Sequence, residues 1–419
     1  MGVGRGMKFA SQAELNPEMK LVAICDTWEE KLYPTAKKLK IAAYSDFDEF
    51  LNHDMEAVIL ANYFHQHAPF AIKALRAGLH VMSETSACHT ISEGIDLIRA
   101  VEETGKIYMF AENYPYMKFN QEMKRVYQTG DIGTFMYGEA EYIHPMSADT
   151  INKLSPGINH WRNWIPATYY CTHTLAPIMF ITDTWPTKVS AHIIQHREDD
   201  PVSSLTARSN DASSIMILHM DNGAVVKLLQ TYLRGEGKWV RIHGSRGHIE
   251  NMRHGDRDIV RLTREQYHQE VNTPEEQIYK SEFPQQAEKA EMTGHGGGDF
   301  FMNFHFAEAI KNNKDPYLDV YRAVAMSIVG PLAYRSALSN SESIDVPDFR
   351  DNTMRKKYEN DHWSPDPERR HKGQPWPSIE GQLDISVKAL NYAKENWKEI
   401  GYEGNLIIYL GRYLWHSTY

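Results

Sequence analysis

The residues nearest the start of the chain have the types and spacing of a nucleotide-binding turn. Met1-Gly-Val-Gly-Arg-Gly6 is rich in glycine, and Asp26 ends an apolar segment at roughly the 20-residue spacing of such turns. Glycine lets backbone N–H groups approach a pyrophosphate, while the carboxylate accepts hydrogen bonds from a ribose 2′-OH and repels a 2′-phosphate. The pattern therefore favours NAD over NADP. The alternative is that Asp26 only caps the following helix.

Short apolar segments alternate with amphipathic ones over residues 1–130 and must position that turn. We predict strands at 21–25, 57–61, 80–82 and 108–111, and helices at 29–39, 69–77 and 92–104. Such alternation is typical of βαβ units, so this part is predicted to be an α/β Rossmann-type domain with a parallel sheet. Because ligands bind at the carboxyl ends of parallel strands, Asp26, Asn62 to His67, Glu84 and Asn113 are expected on one rim.

The glycine turn lacks the strand that such a turn normally follows. No residue precedes Met1 in the sequence. We therefore expect that Met1 is an internal methionine of a longer sequence, and that the first strand and one glycine lie upstream of it.

From Gly138 onward, alternating polar and apolar residues replace the βαβ pattern. Residues 214–220, 224–229 and 239–243 are predicted strands, and Asp221-Asn-Gly223 is a hairpin turn. We predict that residues 131–345 form an α+β domain with a large open, mostly antiparallel sheet. Residues 346–419 are a predicted extension, with a surface-wrapping segment at 350–378, a helix at 384–400, and an apolar end at 405–416 that is either a docked strand or non-native.

Composition excludes several classes of function. The formal charge of −10 disfavours nucleic acid or an anionic membrane surface as a partner. No apolar run reaches the roughly 18 residues that a membrane span requires. The cysteines, Cys25, Cys88 and Cys171, are too few and too scattered for a disulfide framework or a zinc site. We expect a cytoplasmic protein without a metal.

Several motifs stand out together: Tyr63-Phe-His-Gln-His67, Ala74-Leu-Arg-Ala-Gly-Leu-His-Val81 and Gly294-His-Gly-Gly-Gly-Asp299. As a set they resemble the glucose–fructose oxidoreductase/inositol dehydrogenase (Gfo/Idh/MocA) family, over most of residues 2–340. The resemblance implies an NAD site and a sheet domain that often forms a dimer or tetramer. The cofactor residues so implied are Gly2, Gly4, Arg5, Asp26, Asn62, Tyr63, His67, Glu84, Thr85 and Asn113.

Two departures from the dehydrogenases of that family concern proton transfer. Their Glu-Lys-Pro is Glu84-Thr85-Ser86 here, and their Asp-x-x-x-His is Tyr169-Tyr-Cys-Thr-His173. A neutral threonine cannot replace an ammonium group as a proton carrier near pH 7. The sequence thus retains His173 without either usual partner.

A second resemblance accommodates these departures. Ala111-Glu-Asn-Tyr-Pro-Tyr116, His160-Trp-Arg162 and Tyr170-Cys-Thr-His173 are similar to motifs of glycoside hydrolase family 109, the NAD-dependent N-acetylgalactosaminidases. Different gaps between the motifs leave the sugar open. The similarity implies the catalytic residues His173, Tyr116 and Tyr170, and the substrate-binding residues His160, Trp161 and Arg162.

The implied reaction is glycoside cleavage through transient oxidation at sugar C3, elimination and re-reduction, with NAD recycled. His173 suits the base at the C3 hydroxyl, because an imidazole titrates near neutrality. Tyr116 or Tyr170 suits C2 only with a pKa lowered by a cation such as Arg162. The alternatives are an NAD-dependent sugar dehydrogenase and a catalytically silent protein that binds a sugar or nucleotide.

Overall fold

The computed structural model describes residues 1–197, 199–266 and 273–402. The predicted strand or extension at 405–416 lies outside these residues. The N-terminal strands are β1 (Ala23–Cys25), β2 (Ala42–Tyr44), β3 (Ala57–Leu60), β4 (His80–Ser83) and β5 (Tyr108–Phe110). The helices among them are α1 (Gly6–Ala13), α2 (Glu29–Leu39), α3 (Phe47–Leu51), α4 (His67–Arg76) and α5 (Ile91–Thr104). The predicted strands and helices are all present, while β2 and α3 were not predicted.

These five strands are parallel, as the Rossmann-type prediction requires, but they form two sheets. β1 pairs with β2, and β3, β4 and β5 form the second sheet. The backbone of Met1 and Gly2 joins them: Gly2 N–H donates to Cys25 O at 2.8 Å, and Ala61 N–H donates to Met1 O at 3.1 Å. Within the described residues β1 and β3 share no ladder, and a cleft of about 720 Å³ lies between them.

The second layer is a nine-stranded sheet in the described part of the chain. Its strands are β6 (Phe135–Ile143), β7 (Pro186–Ile194), β8 (Ser213–Met220), β9 (Val225–Thr231), β10 (Gly237–Gly244), β11 (Gly247–Asn251), β12 (Ile259–Arg264), β13 (Glu276–Lys280) and β14 (Ile344–Asp345). Their order is β13-β12-β11-β10-β6-β9-β8-β7-β14, and only β6 and β9 pair in parallel. The predicted open, mostly antiparallel sheet is confirmed. Gly223, in the predicted hairpin turn, has a φ of +85°, which glycine adopts without strain.

The remaining helices connect the two layers. They are α6 (Lys118–Thr129), α7 (Ala148–Leu154), α8 (Trp161–Trp164), α9 (Thr172–Thr182), α10 (Ala287–Glu291), α11 (Gly298–Asn312), α12 (Val320–Leu338), α13 (Asn352–Tyr358) and α14 (Val387–Glu399). α11 packs on α1 and α12 packs on α5. α14 packs on α7, where Trp397 Nε1 donates to Asn152 O at 3.0 Å. No helix among the described residues is both long and apolar enough to cross a membrane.

Candidate active site

The imidazole of His173, in the first turn of α9, is held by a buried carboxylate. His173 Nδ1 lies 2.8 Å from Oε1 and 2.9 Å from Oε2 of Glu112, which follows β5. Glu112 is fully buried, and its Oε1 also accepts the N–H of Tyr114 at 3.2 Å. A carboxylate on Nδ1 fixes the ring and leaves Nε2 available as a base. Glu112 therefore supplies the partner that the sequence lacks at Thr85 and Tyr169.

The position of His173 is set by the helix behind it. α9 is buried along nearly its whole length, and Leu175, Ile178 and Met179 lie in the main hydrophobic core. An apolar helix enclosed on all sides cannot turn about its axis without leaving cavities or clashes. The first turn of α9, where His173 lies, is therefore a rigid platform for the imidazole.

Three tyrosines surround that imidazole. Tyr114 stacks on His173 with ring centres 4.6 Å apart and an interplanar angle of 18°. Tyr142, near the end of β6, and Tyr170 approach the ring edge-on at 4.8 Å and 5.2 Å. Tyr142 and Tyr170 are nearly parallel, 6.1 Å apart. A substrate bound at Nε2 of His173 would therefore have phenol groups beside it.

Two arginines accompany the tyrosines. Arg162 Nη1 donates to the hydroxyl of Tyr170 at 3.1 Å, and burial raises the pKa of Tyr170 while Arg162 opposes that rise. Tyr232, directly after β9, lies with its ring centre 3.7 Å from Arg208 Cζ. Burial raises the pKa of Tyr232, but Arg208 and Arg162 outweigh burial and leave it below the ordinary value.

An aromatic wall connects this cluster to the nucleotide side. Trp161 lies parallel to Tyr170 at 6.2 Å, and Arg162 lies over the Trp161 ring at 4.2 Å. His160 stacks on Trp161 at 5.8 Å and meets Tyr63 edge-on at 4.8 Å. The structure thus brings the predicted residues His160, Trp161, Arg162, Tyr170 and His173 together.

Tyr116 is not part of this cluster. Its buried ring contacts Phe180 at 5.6 Å and His305 at 4.8 Å, and burial raises its pKa. Tyr114–Tyr116 is a 3-10 helix, in which residues two apart point about 120° away from each other. Tyr114, and not the predicted catalytic residue Tyr116, therefore lies beside His173.

The glycine turn lies where the two parallel sheets meet. Gly2 has a φ of +92°, and a Cβ on it would lie 2.6 Å from Ala61 O, so only glycine fits. At Gly4 a Cβ would meet open space. Asp26 Oδ2 accepts the N–H of Val3 at 2.7 Å, and Oδ1 accepts the N–H of Trp28 at 2.9 Å. Asp26 thus caps the segment before α2, as the alternative interpretation held, and also holds the glycine turn.

An ion network joins three predicted cofactor residues. Arg5 Nε donates to Glu84 Oε1 at 2.5 Å, and its Nη2 donates to Asp299 Oδ1 at 3.0 Å. Asp299 is buried and also accepts from Asn113 Nδ2 and pairs with His295 Nδ1, both at 2.9 Å. Burial raises the pKa of Asp299, but His295 and Arg5 hold it well below the ordinary value. The network ties the glycine turn to the start of α11.

The loops after β3 and β4 are tied together by His67. Its Nδ1 lies 2.8 Å from Ser86 O and its Nε2 lies 3.1 Å from Asn62 O, and the side chain is buried. Thr85 N–H donates to Glu84 Oε2 at 3.1 Å, and Thr85 lines a small cavity with Tyr170. The Asn62 side chain is buried without a hydrogen-bond partner among the described residues. His67 therefore holds the loops after β3 and β4 in a fixed position relative to each other.

Several groups in and around the cluster were not predicted from the sequence: Glu112, Tyr114, Tyr142, Arg208, Tyr232 and the ammonium of Lys238. Glu112 could have been identified, because it directly follows the strand predicted at 108–111 and belongs to the motif Ala111-Glu-Asn-Tyr-Pro-Tyr116. Tyr142 pairs in register with Gln230 on β9 and with Lys238 on β10, and no local pattern reveals those pairings. Lys238 Nζ lies 6.0 Å from the centre of the Tyr114 ring.

Two family profiles match the chain. The profile described as "Glycosyl hydrolase 109, C-terminal domain" matches residues 125–356, more than half of the chain. The profile described as "Oxidoreductase family, NAD-binding Rossmann fold" matches residues 1–112. The two matches follow the two layers of the fold.

Relatives and solved structures agree with these profiles. An alpha-N-acetylgalactosaminidase of Tannerella forsythia is 25% identical over 382 residues, covering 79% of this chain and 81% of that protein. An alpha-N-acetylgalactosaminidase of Shewanella oneidensis is 25% identical over 393 residues, covering 83% and 84%. A levoglucosan dehydrogenase in complex with NADH superposes with a TM-score of 0.71 at 20% identity, over 83% of this chain and 98% of that one. The structural likeness establishes the fold.

Proposed function

The chain belongs to the glycosyl hydrolase 109 family, and from this premise we propose that it is an NAD-dependent enzyme that cleaves a glycosidic bond by transient oxidation of the sugar. The observation that carries the proposal is the buried Glu112–His173 pair with phenol groups on three sides. A histidine oriented by a carboxylate removes a hydroxyl proton, and a neighbouring tyrosine can take a second proton from the adjacent carbon once it is a phenolate. Cleavage by this route requires both groups.

The residues at the sheet rim fit a dinucleotide. Only glycine is accommodated at Gly2, Asp26 lies at the end of β1, and the buried Asn62 amide has no partner among the described residues. These residues, together with Gly4, would hold the cofactor, while Arg5, Glu84 and Asn113 brace the turn through Asp299. When bound, NAD⁺ would accept a hydride from the sugar and return it, so that none is consumed.

His173 and Tyr170 each carry out one of the two proton transfers. Nε2 of His173 takes the proton of the C3 hydroxyl, and oxidation of that carbon by the bound cofactor would leave a ketone at C3. The ketone acidifies C2–H, and Tyr170 takes that proton after its own hydroxyl proton has passed to solvent. The hydrogen bond from Arg162 favours that loss, while burial opposes it and leaves the pKa of Tyr170 raised rather than lowered. The electron pair forms a C1–C2 double bond, the C1–O bond breaks, and the aglycone oxygen takes a proton from solvent and leaves as an alcohol. Water would then add its hydroxyl group at C1 and release its other proton to solvent, while the proton held by Tyr170 returns to C2. Re-reduction of C3, with the proton held by His173 returning to the oxygen, would make the net reaction hydrolysis.

Incubating the full chain with a panel of aryl glycosides, with and without NAD⁺, tests this function. We expect NAD⁺-dependent aglycone release with no net increase in absorbance at 340 nm. An increase in that absorbance equal to the sugar consumed would instead indicate an ordinary sugar dehydrogenase. The absence of both signals with every glycoside would indicate a catalytically silent protein. Either of these two outcomes contradicts the proposal.

Replacing Asp26 should change cofactor selection. Asp26→Asn keeps an acceptor for Val3 N–H but loses the charge, so we expect weaker NAD binding by roughly 10-fold and a smaller preference over NADP. Asp26→Ala should also loosen the glycine turn and weaken binding further. Titration of both nucleotides by calorimetry measures the effect. Asp46→Ala, which removes a similar cap at α3, is the control, and unchanged NAD affinity in folded Asp26→Ala would remove Asp26 from the site.

The domain boundaries and the assembly stay predictions from the sequence. Limited proteolysis should cut near residues 130 and 345 if residues 1–130, 131–345 and 346–419 are separate units. Light scattering measures whether the chain forms the expected dimer or tetramer. Cell fractionation tests the expected cytoplasmic location.

A further inference from the structure

Arg162 and Arg208 are two cations at the candidate site that no carboxylate neutralises. Within residues 1–197, 199–266 and 273–402, no Asp or Glu oxygen lies within 4.0 Å of either guanidinium. The groups whose charge acts on Arg162 are the phenols of Tyr170, Tyr232 and Tyr142. The fully buried arginines of the described residues each have an acid: Arg264 pairs with Asp131 at 2.7 Å, and Arg355 pairs with Glu102 at 2.6 Å. The half-buried Arg162 and Arg208 differ from them in having none.

Asp200 lines a small cavity together with Arg208, but it is already engaged. It pairs with Arg234, and it accepts hydrogen bonds from Ser203 Oγ at 2.8 Å and from Val202 N–H at 2.9 Å. His196 lines the same cavity, and burial and then Arg208 lower its pKa to about 4, so it is neutral at pH 7. Asp200 thus balances Arg234 and leaves Arg208 uncompensated.

The net charge of Arg162, Arg208 and Tyr232 together is positive whether the Tyr232 hydroxyl is protonated or ionised. Two guanidiniums beside a neutral phenol give +2, and beside a phenolate they give +1. Tyr170 stays neutral in the free protein, because burial raises its pKa. Arg208 Nε is moreover buried with no hydrogen-bond partner among the described residues. Arg208 is half-buried, and a partly desolvated cation without a counterion is costly, so a bound anion would remove that cost and could accept from Nε.

Resting on the function proposed above, we propose that the glycoside substrate carries an anionic group that binds between Arg162 and Arg208 beside Tyr232. A carboxylate of a uronic acid and a sulfate or phosphate ester on the sugar share the required chemistry, because guanidinium N–H groups match pairs of anionic oxygens. Arg162 uses one N–H on Tyr170 and keeps others for a ligand. Arg208, which has no contact with His173 in the structure, is then a specificity residue.

The test compares matched 4-nitrophenyl glycosides of one sugar and one anomer: the neutral glycoside, its uronide and its 6-sulfate, each with the full chain and NAD⁺. We expect kcat/KM for an acidic member to exceed that of the neutral glycoside at least 10-fold. Arg208→Gln should lower that kcat/KM by roughly 10- to 100-fold, mainly through KM, and the loss should be clearly larger than the loss on the neutral glycoside. Arg208→Lys should restore part of the loss, and preference between the two acidic members identifies the anion.

Arg246→Gln is the control, since Arg246 lies outside this cluster, where it donates to Gly130 O at 2.8 Å, and its loss leaves Asp200 paired with Arg234. It should leave the preference for acidic glycosides unchanged. Cleavage of the neutral glycoside at least as fast as the acidic ones would overturn the proposal and leave glycosidase function intact. An equal loss on all substrates in Arg208→Gln would also overturn it, because that pattern indicates a structural role.

If no glycoside is cleaved, the proposed function fails and the anion site is tested by binding alone. Calorimetric titration of the NAD⁺-loaded chain with a free uronic acid, a sugar 6-sulfate and the parent neutral sugar provides that test. Tighter binding of an acidic sugar that disappears in Arg208→Gln supports the site. Equal binding of acidic and neutral sugars, or none, overturns it. Thermal melts of each variant show that it is folded.

Discussion

His173→Ala is expected to lower kcat/KM for glycoside cleavage by about 10²- to 10⁴-fold, the usual contribution of a positioned proton base. The physical reason is that Nε2 is the ring nitrogen left available when Glu112 occupies Nδ1. The loss should appear in the first step, so a single-turnover measurement of C3 oxidation should slow as much as aglycone release. Undiminished oxidation in the variant would exclude His173 as the base.

Glu112→Gln extends this prediction to the residue that orients the imidazole. The amide fills the same buried space but lacks the charge, and it no longer requires a proton on Nδ1. Removing such a partner typically costs 10- to 100-fold, so we expect a loss of about that size in kcat with little change in KM. Glu122→Gln is the control, because Glu122 is also buried but pairs with Arg125 instead of a histidine. Equal losses in the two variants would indicate a packing effect.

Tyr170→Phe is expected to depress elimination by about 10²- to 10⁴-fold while leaving C3 oxidation much less affected. The variant keeps the ring against Trp161 and Tyr142 but loses the hydroxyl that accepts the hydrogen bond from Arg162. Turnover in D₂O should place deuterium at C2 of the product of the unmodified enzyme. Exchange at C2 should fall in proportion to aglycone release in the variant.

Two further tyrosine variants locate the C2 base. Tyr116→Phe is the control, since that ring lies against Phe180 and His305, away from His173, and its exchange rate should match the unmodified enzyme. Tyr142→Phe removes the other phenol that meets His173 edge-on. If Tyr142→Phe abolishes exchange and Tyr170→Phe retains it, the assignment to Tyr170 is wrong. Cleavage with no C2 deuterium and no isotope effect with C2-deuterated substrate would exclude elimination altogether.

The elements of the fold were predictable because their signals are local. The strands that end at Cys25, Leu60, Ser83 and Phe110 alternate with amphipathic helices. A parallel sheet that is buried on both faces requires short apolar strands between such helices, so this alternation is visible in the sequence. The hairpin at Asp221–Gly223 was equally legible, because its turn needs a positive φ. Local patterns do not contain which strand pairs with which, so the parallel pairing of β6 with β9 was not foreseen.

The candidate site likewise has residues that local motifs reveal and residues that only the packing of distant segments brings together. The sequence by itself determined which motif residues are present: His173, with Thr85 and Tyr169 in place of the lysine and aspartate of the dehydrogenases. From these and the glycine turn it predicted a dinucleotide site with Asp26, because residues close together in the chain can be compared one by one. Only the tertiary structure decided that Glu112 is the partner of His173, that Tyr114 rather than Tyr116 lies beside it, and that Arg162 and Arg208 meet at Tyr232. Glu112 and His173 are 61 residues apart in sequence and become neighbours only when β5 and α9 pack together. In a 3-10 helix each residue is rotated by a third of a turn from the one before it, so the sequence motif does not show which tyrosine faces His173. Which buried charges are compensated depends on all the elements packed around them.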